Sequence, residues 1–239
     1  MLQLKNISYA VFDGGVEKRI LKDVNLTVNE RFVAFTGPNG GGKSTLAKII
    51  AGILSPTSGQ IIYNGQDITD LSLTERAKLG ISYAFQQPVR FKGLTVRDLI
   101  NISAGKSLKV ADACAYLSEV GLCARDYMDR EVNASLSGGE LKRIEIATIL
   151  ARGTSLSVFD EPEAGIDLWS FGSLIKVFEK MHEKTQGNIL IISHQERILN
   201  IADKIVVIKD GGVQEEGKKE QILPSLLATD SCKRLTDKL

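Results

Sequence analysis

Apolar and polar positions alternate through LQLKNISYAVF at residues 2–12, ILKDVNLTV at 20–28 and GQIIYNGQDI at 59–68. That period predicts half-buried antiparallel strands forming a small β layer. Elsewhere the apolar residues run together in short blocks, each followed by helical spacing. RFVAFTG (31–37) precedes KSTLAKIIAGI (43–53), SLSVFD (155–160) precedes LWSFGSLIKVFEKMHEK (168–184), and NILIIS (188–193) precedes QERILNIAD (195–203). A short strand-like run followed by a helix is the unit of a mostly parallel α/β core.

Between about 94 and 152 there is almost no strand signal. TVRDLINISAG, VADACAYLSEVGL and GGELKRIEIATILAR all carry helical spacing, which predicts an inserted helical subdomain. Near the end, KIVVIKDGGVQEEG places Asp-Gly-Gly between strand-like halves and predicts a hairpin. The expected organisation is a single domain over 1–239, with 1–93 and 153–239 as nucleotide-binding core plus β layer and about 94–152 as the helical subdomain. No repeat or low-complexity linker interrupts it.

A chain of 239 residues can bury a large core without staples. Thirty basic against 29 acidic side chains give a net charge of +1. No long-range field for nucleic acid or an anionic membrane follows from that balance, so nucleic acid is not an expected partner and any anion must be bound locally. Cys114, Cys123 and Cys232 are odd in number and lack C-x-x-C spacing, which suggests neither a zinc site nor a disulfide framework but a cytoplasmic protein. The N-terminus lacks a signal-peptide layout. No apolar run approaches the roughly 18–20 residues of a membrane span, so action at a membrane would need a partner to hold the chain there.

The phosphate chemistry is legible at Gly37-Pro38-Asn39-Gly40-Gly41-Gly42-Lys43-Ser44-Thr45, which matches G-x-x-x-x-G-K-[ST] between a strand and a helix. Glycines let successive backbone N–H groups turn inward around phosphate oxygens, and the helix start adds its positive dipole end. Lys43 is expected to reach the outer phosphates and Ser44 to ligate Mg²⁺. The acids of FDEPEAGID, crowded after an apolar strand, then find a use. Asp160 is expected to hold the metal shell and Glu161 to orient or deprotonate the attacking water. Repulsion between them is tolerable beside a divalent cation.

With LSGGELKR at 136–143, the chain resembles the ATP-binding cassette ATPases, the motifs falling in family order from the P-loop through Gln86 in YAFQQP, LSGGE, Asp160-Glu161 and AGID to His194. The resemblance spans Leu2 to about Gly217. It implies MgATP hydrolysis at a site split between two copies, with ATP driving a homodimer. Ser137, Gly138 and Gly139 would cap the γ-phosphate held by the other copy. Gln86 would approach Mg²⁺ and the water, His194 the γ-phosphate, and Asp167 the dimer interface. Glu163 is left without a role and expected to be exposed. The family's adenine-stacking aromatic is replaced by Val11, with Tyr9 or Phe12 as substitutes.

Within that family, KRIEIATIL with Glu145, HQERIL with Arg197, and FQQPV with the following Gly93 resemble the Suf-type iron–sulfur cluster assembly ATPases. AGID in place of SGLD, and Ala147-Thr148 in place of Leu-Gln, depart from that type. The resemblance implies a soluble iron–sulfur scaffold protein as partner, docking within Gln86–Asn101. The other reading is the ATP-binding subunit of a transporter, whose partner is a membrane permease.

Overall fold

The computed structural model describes residues 1–184 and 187–236, apart from the side chains at 13, 168, 169 and 229–236. Cys232 therefore lies outside the described side chains. The chain forms two compact units, Met1–Arg76 with Leu190–Leu239, and Ala77–Ile189.

In the first unit, β1 (Leu2–Asp13) and β2 (Val16–Val28) form a long hairpin, and β4 (Ser58–Tyr63) with β5 (Gln66–Asp67) completes an antiparallel sheet in the order β2-β1-β4-β5. This is the β layer that the alternation predicts. Its inward positions Leu2, Leu4, Ile7, Leu21, Val24, Leu26 and Ile61 are buried. β3 (Phe32–Thr36) is buried at every position and lies parallel to β9 (Lys204–Lys209), which pairs in turn with β10 (Gly212–Lys218). The Asp-Gly-Gly hairpin forms as its turn chemistry requires, with Asp210 and Gly211 both at positive φ.

From β3 the chain enters α1 (Lys43–Ala51), which stops at Gly52 in the left-handed region. The far end of α1 is held by Arg76 of α2 (Leu73–Lys78), a fully buried side chain. Its guanidinium donates to the carbonyls of Ile49 and Ile50, and also to those of Thr69 and Leu71. One buried guanidinium thereby satisfies its donors on four carbonyls. Also in this unit are α8 (Glu196–Leu199) and α9 (Lys219–Thr236), the second of which the apolar pattern does not announce.

The second unit carries β6 (Ile81–Ala84) parallel to β7 (Leu156–Asp160), in register from Ile81 with Leu156 to Ala84 with Phe159. Between them in sequence come the helices α3 (Val96–Ala104), α4 (Val110–Glu119), α5 (Ala124–Tyr127) and α6 (Gly138–Arg152). After β7 follows α7 (Leu168–Lys184), where Phe178 meets Phe159 edge to face at 5.1 Å. The chain then returns to the first unit within β8 (Asn188–Ile192). Two of the helix starts in this unit are set by side chains. Thr95 and Asp98 form a capping box on α3, and Ser137 and Glu140 form another on α6.

Candidate functional site

In the first unit the strand-to-helix turn after β3 is shaped by glycines that nothing else could replace. Gly37 has φ 124°, and a Cβ there would fall 2.1 Å from the Ile208 carbonyl oxygen. Gly42 has φ 105°, with Leu21 Cδ2 2.6 Å from where a Cβ would stand. The loop between them is held inward by Lys43, whose ammonium donates to the carbonyls of Gly37 at 2.8 Å and Pro38 at 2.9 Å. Lys43 is only 5% exposed. No side chain caps the start of α1, so its first turn presents main-chain donors and the positive end of its dipole at the loop. Ser44 and Thr45 follow in that first turn. His194, just beyond β8, is exposed.

On the β1 hairpin of the same unit, Ser8 accepts from the Asp23 N–H and donates to its carboxylate. Tyr9 and Val11 are half-buried, whereas Phe12 is 79% exposed.

The second unit assembles the carboxylates. Asp160 ends β7 and is buried, and the hydroxyl of Tyr83, from the neighbouring strand β6, donates to it at 2.6 Å. Burial, and then the hydrogen bond to Asp160, push the Tyr83 phenol far above its ordinary pKa, so it remains a donor. Glu161 follows at φ 44°, left-handed for a residue with a long side chain. Such a backbone costs on the order of 1–3 kcal/mol, offset here by the turn in which Ala164 N–H donates to the Glu161 carbonyl. The Gln86 amide donates to the Glu161 carboxylate at 2.6 Å.

The signature segment enters through its cap. The Ser137 hydroxyl accepts from Glu140 N–H, and Ser137 N–H donates to the Glu140 carboxylate at 2.6 Å. Burial pulls the Glu140 carboxyl upward, but the hydroxyls of Tyr127 and Ser137, the Ser137 N–H and Arg130 together hold it below the usual range. Gly138 lines an open groove of about 570 Å³ with Gln86, Pro88, Leu141 and Gly165. Gly139 is buried next to it. Asp167 accepts from Ser170 N–H at 2.9 Å and so caps α7.

Glu163 departs from expectation. It is half-buried, not exposed, with one carboxylate oxygen shielded from solvent in the turn after Glu161. Glu145 is also no surface residue. Its carboxylate lies 3.1 Å from the ammonium of fully buried Lys142 and accepts from Phe85 N–H. Sequence reasoning missed Tyr83 and Lys142, although the quoted YAFQQP and LSGGELKR contain both.

Residues 21–164 match the ABC transporter family model. The chain is 40% identical over 214 residues to the uncharacterized ABC transporter ATP-binding protein MJ0035 of Methanocaldococcus jannaschii, covering 86% of this chain and 85% of that protein. It is 31% identical over 236 residues to the probable ATP-dependent transporter ycf16 of Cyanophora paradoxa, covering 92% and 89%. Among solved structures, it resembles the ATP-binding cassette MJ0796 in a dimeric post-hydrolysis state bound to ADP and Pi, with a TM-score of 0.81 at 27% identity over 92% of this chain and 99% of that one. The chain belongs to the ABC transporter family, with the P-loop α/β fold of its cassettes. It is an ATPase whose nucleotide is ATP with Mg²⁺. Its own residues suit that ligand pair. The glycine cradle, the Lys43 ammonium and the uncapped α1 start favour phosphate, and the Ser44 hydroxyl and Asp160 carboxylate are hard oxygen donors of the kind Mg²⁺ takes.

Proposed function

We propose that this chain is the ATP-binding subunit of an ABC membrane transporter, working as a homodimer that closes on ATP. Lys43 and main-chain N–H groups of the Gly37–Thr45 loop, Pro38 excepted, hold the triphosphate, and Ser44, Asp160 and Gln86 hold the metal. Mg²⁺, when bound, neutralises charge building on the β- and γ-phosphate oxygens. Glu161 accepts the proton of the attacking water, Gln86 orients that water, and His194 donates to the γ-phosphate. Ser137, Gly138 and Gly139 cap the γ-phosphate bound by the second copy, while Asp167 sits at the dimer contact. The 94–152 segment acts as the helical subdomain, and Phe12 is the aromatic offered to adenine.

The observation that carries the transporter reading is the 40% identity to an ABC transporter ATP-binding protein, and the apolar surface around Gln86 gives a permease a place to dock. Phe85, Val89 and Phe91 are each 40% exposed or more, immediately flanking the amide that holds Glu161. A partner seated on them would reach the reacting water through one residue. The similar proteins support the reading, since MJ0035 carries the name of an ABC transporter ATP-binding protein. The MJ0796 cassette supports the dimer.

A second reading, an ATPase serving a soluble iron–sulfur scaffold, rests on the KRIEI and HQERIL motifs. Arg197 is exposed on α8 and available to a partner. Glu145 is half-buried, and its carboxylate is engaged by Lys142 and the Phe85 N–H.

Affinity capture of the tagged chain from native cells, with membranes and cytosol processed separately, decides between them. The transporter reading expects a polytopic permease recovered from the membrane fraction. A salt-resistant complex with a soluble cluster scaffold, whose addition raises the ATPase rate, would replace it with the second reading.

A further inference from the structure

Phe85 has both of its backbone polar groups tied by one helix. Its N–H donates to Glu145 Oε1 at 3.1 Å, and its carbonyl accepts from the Lys142 ammonium. Lys142 and Glu145 stand one turn apart on α6 and pair with each other at 3.1 Å. Their side chains are 1% and 17% exposed. The next residue along the chain is Gln86, whose amide holds Glu161.

Two charges taken out of water are a poor device for stability alone, because apolar residues of similar volume serve about as well. What an apolar pair could not do is hold the two successive peptides that flank one residue, the first by its donor and the second by its acceptor. The Phe85 ring is fixed as well, edge on to Tyr83 at 5.0 Å. Tyr83 in turn donates to Asp160. The stretch Tyr83–Gln86 thus reaches Asp160 at one end and Glu161 at the other, and α6, which begins with Gly138 of the signature segment, grips it in the middle.

We propose that Lys142 and Glu145 are positioning residues for hydrolysis. They lock the two peptides flanking Phe85 so that Gln86 meets Glu161 in one geometry, and any shift of α6 is passed to that pair. The inference rests on the assignment of Glu161 and Gln86 made above. Its physical basis is that the grip is local. Phe85 is 40% exposed and its N–H bond to Glu145 lies at the surface, so water can take over that N–H when the pair is removed. The loop then loses its fixed position without the unit losing its core.

The test is the Lys142→Met/Glu145→Leu double variant of the full chain, which replaces the ion pair by apolar groups of similar size. It should melt near the wild-type temperature and bind MgATP within about twofold in calorimetry. Its kcat should fall by roughly 10–100-fold with KM unchanged, the scale expected when a reacting group is displaced by about an ångström. Amide exchange at Phe85 should accelerate. A folded double variant with wild-type kcat overturns the proposal. Should it fail to fold, Glu145→Asp decides. That change keeps the charge beside Lys142 but retracts the carboxylate from Phe85 N–H, and kcat should fall by about tenfold. Undiminished turnover would overturn the proposal. Glu161→Gln measured in parallel separates the two assignments. Normal hydrolysis by that variant removes the base, whereas its failure beside an undiminished double variant removes only the brace.

Discussion

The Gln86 side-chain amide donates to the Glu161 carboxylate at 2.6 Å, linking the loop that leaves β6 to the turn that leaves β7. The two strands are adjacent and parallel, so their exits emerge on the same edge. The left-handed backbone at Glu161 breaks the strand direction there, and the carboxylate meets the amide instead of continuing along β7.

Glu161→Gln keeps the shape of that contact and removes the proton acceptor. Hydrolysis should slow by about 10²–10⁴-fold while ATP still binds, so the variant should accumulate as an ATP-dependent dimer in size-exclusion chromatography. A variant that turns over normally would contradict the role.

Lys43→Ala removes the ammonium that ties the carbonyls of Gly37 and Pro38 and that we propose holds the outer phosphates. MgATP binding should disappear in calorimetry, with the circular dichroism spectrum retained. Unchanged affinity would remove the P-loop from the site.

Tyr83→Phe deletes the hydroxyl that satisfies the buried carboxylate of Asp160. A hydrogen bond to a charged group contributes about 1.5–3 kcal/mol. Urea denaturation of the nucleotide-free protein should show a loss on that scale, and the Mg²⁺ dependence of turnover should shift. No change in either measurement would show the contact to be incidental.

The capping box of α3 supplies a pH signature. The Thr95 hydroxyl, then its N–H, hold the Asp98 carboxyl below its ordinary 3.8. Because the folded pKa is the lower one, the contribution is fully present above pH 3.8 and is lost as pH falls through the folded value. Asp98→Asn should therefore lower the melting temperature at neutral pH and show a smaller further drop on acidification below pH 4 than wild type. Parallel acid profiles for the two proteins would count against it.

Much of the site was legible because its chemistry is local in sequence. The glycines, Lys43 and Ser44 lie within one turn, and a single strand-to-helix register brings their donors together. The alternation in LQLKNISYAVF and the mostly apolar stretch 156–159 ahead of a helical pattern likewise named their strands. The four-residue β6 escaped, since Ile81–Ala84 is too short to show a period and its partner Leu156–Asp160 comes more than 70 residues later.

The sequence by itself determined the glycine-rich strand-to-helix turn, the order of the motifs and the helical character of 94–152, all of which depend on neighbours along the chain. Tertiary structure decided what the single residues in those motifs touch. Glu145 reads from the sequence as a surface mark of the partner, and packing turns it inward onto Phe85. Glu163 reads as exposed, and the turn after Glu161 half-buries it. Tyr83 carries no signal until β7 lies beside β6 and sets Asp160 against its hydroxyl. A side chain's role follows from the distances that folding closes, and no spacing along the chain encodes a hydrogen bond across 77 residues.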